Sequence, residues 1–299
     1  MEGFGQKLKK YKYPYLFIAP TLIILFIFSI MPIIIAFIIS FTNMDLKGLV
    51  DFSNIKFTGI SNYIKLFQDD LFLKAAFNTL FYVVLGVPLV IILSLIVAIL
   101  LDQGTSFMFK VCRMFYYAPA ITNVVAVAVI WGFLYNSNYG LFNQILKSLS
   151  LPPISWLQDV LMAKISLVAL AVWRAIGMNM LIFLAALKGI PKSYYEAAQI
   201  DGANSLERFI YIKFPLLRSS IFFVTITTLI GWIQFFEEPL VMTKGGPLNS
   251  TMSMALLIYQ NGFKNSNFGY AAAGSFVLFA IIIIATSVQF KFKKDNVEY

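Results

Sequence analysis

Apolar residues along this chain fall into six blocks separated by polar stretches, at about Tyr15–Ser40, Phe77–Leu101, Met114–Tyr135, Met162–Leu187, Leu216–Phe236 and Tyr270–Phe290. Each exceeds the roughly 18 residues that separate a membrane-spanning helix from a buried helix of a soluble domain. The pattern predicts an all-α integral membrane protein with six transmembrane helices. The third block is the least regular, because Pro119, Thr122 and Asn123 interrupt it before the apolar run Val124–Leu134.

The polar stretches carry their own signals. Phe41–Ala76 is the longest outer loop, and Asn62–Phe67 within it reads as a short surface helix. The segment between the fourth and fifth spans, 188–215, is rich in helix punctuation. Pro191 suits a first helical turn, Ser193-x-x-Glu196 has the form of a capping box, and Ala197 and Ala198 propagate the helix. Asp201-Gly202 reads as a stop and turn, Asn204-x-x-Glu207 as a second start, and Pro215 as the end of that second helix. A cytoplasmic helix-turn-helix between spans 4 and 5 is the expected result. The chain divides into residues 1–76, an N-terminal span with its outer loop, and residues 77–299, a core of five spans.

Composition agrees with a membrane body. Hydrophobic residues make up 60% of the chain and charged residues 12%, against ~25% charged in an ordinary soluble domain. The first span follows Lys7, Lys9, Lys10 and Lys12 as a secretory signal would, but it is too long and lacks a small-x-small cleavage site, so it reads as a retained helix. With both termini cytoplasmic, fourteen Lys/Arg fall inside and seven outside, as the positive-inside bias requires. The net charge of +9 is thereby a matter of topology, and no nucleic-acid partner is implied. One cysteine, Cys112, and no histidine exclude a Cys/His metal site, a His-dependent triad and a disulfide framework.

The segment Glu196-Ala197-Ala198-Gln199-Ile200-Asp201-Gly202-Ala203, followed by Phe209, Ile212 and Pro215, resembles the EAA loop of binding-protein-dependent ABC importer permeases: EAA, a glycine four residues on, then Ile-x-x-Pro. Two alanines make a close-packing face, the glycine permits a sharp turn, and the helix can dock in a partner's groove. The resemblance extends from about Asn78 onward through Gly140 with Asn143 and Leu146, Trp156-Leu157, Trp173-Arg174 with Gly177, and Thr243-Lys244-Gly245-Gly246-Pro247 with Thr251. These are similar to the carbohydrate-uptake subfamily, and within it to the larger maltose permease subunit type. The tail 295–299 lacks the Gly-Ala-Val-Lys-Gly-like ending of the sister subunit type, and no large outer domain is inserted. The resemblance implies ATPase-coupling residues Glu196, Ala197, Ala198, Asp201, Gly202, Ala203, Phe209 and Pro215. It also implies partners: a sister permease, two ATPase subunits and an extracytoplasmic solute-binding protein, in a bacterial cell membrane.

Candidate pathway residues are Trp173, Arg174, Met178, Thr228, Trp232 and Phe235. In the fifth span Thr228, Trp232 and Phe235 stand at i, i+4 and i+7 on one helix face. An aromatic platform beside a hydroxyl suits a sugar ring, and ordinary helix packing suits it equally. Arg174 and Lys164 are the basic residues inside spans, where a charge costs roughly 2.5–3.5 kcal/mol. Arg174 therefore faces protein or water, either donating to a sugar or acidic solute or pairing with Glu237 or Glu238. Lys164 is expected to snorkel outward.

The spans hold no mid-membrane carboxylate relay of the kind a secondary carrier uses, and no nucleophile-base or metal set for a membrane enzyme. The phosphate-cradling loop Gly-x-x-x-x-Gly-Lys-Ser/Thr is missing. ATP and Mg belong to the partner ATPase, and this chain is expected to have no cofactor and no catalysis of its own. A permease for glycerophosphate or an acidic oligosaccharide is the nearest rival to a sugar permease.

Overall fold

The computed structural model describes residues 4–291. The C-terminal Lys293 and Lys294 and the tail 295–299 lie outside them. Along the chain run α1 (Phe4–Leu25), α2 (Met31–Ser40), α3 (Leu46–Val50), α4 (Ser61–Gln68), α5 (Asp70–Asp102), α6 (Phe107–Ile121), α7 (Val124–Leu134), α8 (Leu141–Ser148), α9 (Val160–Lys188), α10 (Lys192–Ile200), α11 (Ser205–Arg208), α12 (Phe214–Leu216), α13 (Arg218–Ile233), α14 (Met254–Tyr259) and α15 (Phe268–Lys291). The described residues contain no strand beyond an isolated bridge between Thr42 and Phe57.

Four helical stretches are long and apolar enough to cross a membrane, Tyr15–Ser40, α5, α9 and α15, and six if each of two bent pairs counts as a span. At ~1.5 Å per residue, the 33 residues of α5 reach ~50 Å, well beyond a ~30 Å hydrocarbon core. The predicted first span runs without a break in the helix through a π turn at Phe26–Ile30, immediately ahead of Pro32. A proline ring crowds the carbonyl four residues earlier, and a widened turn relieves that crowding.

The third block departs from the single span expected. It forms α6 and α7, bent by 101°. The polar residues at the break explain it: Asn123 Oδ1 accepts from Val125 N (2.9 Å) and Ala126 N (3.3 Å), starting a new helix, while Thr122 Oγ1 donates to Ala118 O at 2.8 Å. The fifth block is shorter than expected, since α13 ends at Ile233 rather than Phe236 and joins the preceding loop through a 65° bend.

The described residues form two compact units. One runs to Gln68 and takes in Ile258–Phe276; the other holds Asp69–Leu257 and the chain from Val277 on. In the first, the surface helix expected at Asn62–Phe67 is α4. Its Asn62 amide donates to Ser40 O (2.9 Å) and Thr42 O (2.8 Å), satisfying carbonyls at the end of α2. Gly269 donates its N–H to Met44 O at 2.9 Å, and a Cβ there would collide with Thr42 O.

The second unit is built on α5, α9 and α13. One apolar cluster holds Tyr82, Val87, Val90, Leu167, Val172 and Trp232. Another joins Ala98 and Leu101 to Phe183, Leu184, Leu187, Leu217 and Val224. Gly177 of α9 lies directly on the α6 backbone, where an added Cβ would strike Tyr116 O and stand 2.8 Å from Tyr117 Cα. Asn143 is a buried hub: its amide donates to Ser137 O (3.0 Å) and Ile154 O (2.9 Å), and its Oδ1 accepts from Ile154 N and Trp156 Nε1, both at 3.0 Å. The Thr243–Thr251 turn, left-handed at Lys244 and Gly245, is closed by Thr251 Oγ1 on Gly246 O at 2.7 Å. Asn78 of α5 secures it by donating to Asn249 O and Met252 O.

Candidate functional site

Between α9 and α13 lies a cavity of about 490 Å³. One face of α9 supplies Ala171, Arg174, Ala175, Met178 and Ile182, spaced as neighbouring turns require. From α13 come Phe223, Thr227, Thr228, Gly231 and Trp232, and from the chain beyond it Phe235, Glu237 and Glu238. Five of the six predicted pathway residues therefore meet at one cavity. Trp173 does not; it turns to the other side of α9, where its ring lies 5.2 Å from Trp131.

The predicted aromatic platform is packed more deeply than a contact surface needs to be. Trp232 is 5% exposed, and its ring fills the space a Cβ on Gly86 would occupy. Phe235 lies past the end of α13 rather than on its i+7 face, yet it still stacks on Trp232 (5.1 Å, 21°) and meets Tyr82 at 4.8 Å. Thr228 is buried, whereas the neighbouring Thr227 and Gly231 are exposed along the cavity. Thr227, Gly231 and Asn179, which also lines the cavity from α9, were not foreseen from the sequence; for the first two, a small-residue pair at i and i+4 in a span was the available signal.

Arg174 pairs with Glu238, Nη1 to Oε1 at 3.1 Å. Of the two partners foreseen for it, the buried carboxylate has taken the role, and Glu237 stands exposed on the cavity. Lys164 places its ammonium 5.3 Å from the centre of the Phe81 ring, a cation–π contact.

The loop between α9 and α13 forms the expected helix-turn-helix, with a difference at its start. Helix α10 begins at Lys192 with Pro191 as its N-cap and has no side-chain capping bond. Ser193 is thereby inside the helix, so the Ser193–Glu196 capping box does not form, and Glu196 is exposed. The turn is as foreseen. Asp201 is the C-cap, Gly202 has φ +79°, and Ala203 N–H returns to Ala198 O at 2.9 Å. A Cβ on Gly202 would meet nothing within 4 Å, so the glycine answers a backbone need and not a crowded one. The second start is a complete capping box: Asn204 Oδ1 accepts from Leu206 N and Glu207 N, and Glu207 Oε2 accepts from Asn204 N at 2.7 Å. Pro215 does not end the second helix; a π turn at Phe209–Lys213 precedes it, and the bend comes at Leu217.

No residue of α10, α11 or α12 is buried. Ala197 is exposed and Ala198 half-buried, and Ile200 and Leu206 are 87% and 65% exposed. Phe209, half-buried, lines a second cavity of about 680 Å³ beside the end of α5, together with Tyr195, Arg208 and Lys213. Lys213 reaches Asp102 at 3.8 Å. Burial, reinforced by the Asp102 charge, holds the Tyr195 phenol above its ordinary range.

Residues 69–295 match the family model described as the binding-protein-dependent transport system inner membrane component. The lactose transport system permease protein LacF of Rhizobium radiobacter is 33% identical over 281 residues, 92% of either chain. The arabinooligosaccharides transport system permease protein AraP of Bacillus subtilis is 32% identical over 280 residues, 93% of this chain and 87% of that one. The sn-glycerol-3-phosphate transport system permease protein UgpA of Yersinia pestis is 34% identical over 294 residues, 96% and 95% of the two chains. A chain from the crystal structure of a bacterial alginate ABC transporter in complex with an alginate pentasaccharide-bound periplasmic protein superimposes with a TM-score of 0.81, at 21% identity, over 98% of this chain and 99% of that one, which shows a shared fold. With the apolar helices, the family model over residues 69–295 and relatives at 32–34% identity in hand, the chain is a multi-pass membrane protein that belongs to the family of inner membrane components of binding-protein-dependent transport systems.

Proposed function

We propose that this chain forms half of the translocation pathway of an ATP-driven importer for a sugar or oligosaccharide and receives its driving force through the α10–α11 loop. The observation that carries the reading is the loop itself. It joins an ordered helix-turn-helix to a surface with no buried residue and with Ile200 and Leu206 outward, which is the form of an element that docks on another protein. Glu196, Ala197, Ala198, Asp201, Gly202, Ala203, Phe209 and Pro215 are the residues assigned to that joint. ATP and Mg are handled by two partner ATPase subunits. A sister permease completes the pathway, and an extracytoplasmic binding protein delivers the solute.

In this reading six spans cross the membrane, α6–α7 counting as one broken span and α13 as the fifth, and both termini are cytoplasmic. Residues 1–76 hold the N-terminal span with its outer loop, and residues 77–299 the core of five spans. The fourteen-to-seven Lys/Arg bias supports the orientation, and reporter fusions at Glu2 and Tyr299 check it; an extracytoplasmic signal from either end contradicts it. The names of LacF and AraP support a saccharide. The decisive experiment is uptake of a panel of labelled saccharides by vesicles holding the complete assembly. ATP-dependent accumulation of at least one is expected, with no ATP hydrolysis by the isolated chain. ATPase activity in that chain, or accumulation without ATP, contradicts the reading.

A further inference from the structure

Three charged side chains line the α9–α13 cavity among the described residues: Arg174, Glu237 and Glu238. The guanidinium is already engaged, 3.1 Å from Glu238, whose side chain is only 6% accessible while that of Arg174 is 27%. Glu237 is exposed on the same wall. With all three ionised, the cavity carries one positive and two negative charges. An anionic solute would meet a neutralised cation beside a free-facing carboxylate. To draw Arg174 away it would have to leave Glu238 buried and uncompensated, the costly way to break an ion pair. A neutral sugar meets no such barrier. Its hydroxyls can accept from the remaining guanidinium N–H groups and donate to Glu237.

We infer that the Arg174–Glu238 pair is a charge filter, by which this cavity admits neutral saccharides and rejects solutes bearing a carboxylate or phosphate. The inference rests on the reading of the cavity as the solute pathway and adds the charge class of what passes. Glu238 is the specificity-determining residue because it decides whether Arg174 is available to an oxyanion. Proteins similar to this chain differ in that class by name, lactose and arabinooligosaccharides against glycerol 3-phosphate. At this cavity, then, the family resemblance leaves the class open and the ion pair closes it.

The test measures binding to the purified complex of this chain with its sister permease and ATPase subunits, without the binding protein, which has a selectivity of its own. Saturation-transfer NMR compares matched disaccharides: galactobiose with digalacturonate, cellobiose with its uronate, and mannobiose with dimannuronate. The wild-type complex is expected to bind at least one neutral member, and the matching uronate at least about tenfold more weakly. Glu238→Gln should strengthen uronate binding by about tenfold, and adding Arg174→Gln should abolish that gain. Equal wild-type binding of a neutral sugar and its uronate overturns the filter while leaving the pathway reading intact. Equal uronate binding by the single and double variants overturns it too. If no saccharide of either kind binds, the saccharide reading fails and the filter with it. Should the variants not assemble, the wild-type comparison alone decides.

Discussion

The cavity wall and the α10–α11 loop are adjacent in sequence yet opposite in construction. In the helices that carry the wall, Trp232 fills the space over Gly86, Arg174 has Glu238, and Gly177, on the α9 side facing α6, lets the two backbones touch, so each contact is completed inside the chain. Across the bend, α10 spans nine residues, buries none of them and has no side-chain cap. A helix that short is marginal in water on its own. The wall is therefore preorganised by its own packing, whereas the loop keeps its turn geometry and leaves its outer face uncovered by the described residues.

The contrast makes the wall the fragile side in isolation. Gly177→Leu should have the largest effect, because the new side chain meets backbone and not a movable side chain; a cost of at least ~3 kcal/mol is expected. Size-exclusion profiles of the detergent-extracted chain should shift to aggregate, and a monodisperse variant with unchanged thermal stability would contradict the α6–α9 contact. Trp232→Ala comes next, at ~3 kcal/mol for a buried indole. Its thermal midpoint should fall together with uptake. A loss of uptake with stability unchanged would return Trp232 to the role of a solute platform.

On the loop the intrinsic costs shrink. Gly202→Ala adds about 1 kcal/mol of left-handed backbone strain and no collision. Cleavage between residues 200 and 206 by a limiting protease should quicken roughly fivefold while the chain's thermal midpoint stays put; unchanged cleavage would mean the turn is not strained. Ile200→Asp should change the isolated chain's stability by less than ~0.5 kcal/mol yet weaken association with the ATPase. A large loss of stability in isolation would show that Ile200 has an internal partner and would erase the contrast.

Much of this was legible in the sequence, and what was not has definite physical causes. The Asp201-Gly202 turn and the Asn204–Glu207 box were readable because both are local, needing only residues within one helical turn. Ser193–Glu196 misled because the helix began two residues early, at Lys192 after Pro191 rather than at Tyr194, which moved Ser193 off the cap. Pro119, Thr122 and Asn123 announced an interruption, but the 101° bend depends on Asn123 capping a new helix. The cavity residues separated by their tertiary neighbours. Gly86, more than 140 positions from Trp232, decides that the indole is packed, and no periodicity within α13 carries that information. Thr227 and Thr228 look alike as sequence, and only the direction of the α13 face tells them apart.

The most direct test of the loop as the joint to an ATPase is co-purification. Glu196 makes no capping bond and Gly202 has open space around it, so neither Glu196→Lys nor Gly202→Asp should disturb the packed wall. Complexes carrying each variant would be extracted with a tag on this chain, the ATPase retained per permease measured, and ATP-driven uptake assayed in parallel. Retained ATPase and uptake should fall together, while the yield and thermal midpoint of the isolated chain match wild type. Full retention of ATPase with full uptake in both variants would contradict the assignment and reduce the loop to a surface helix.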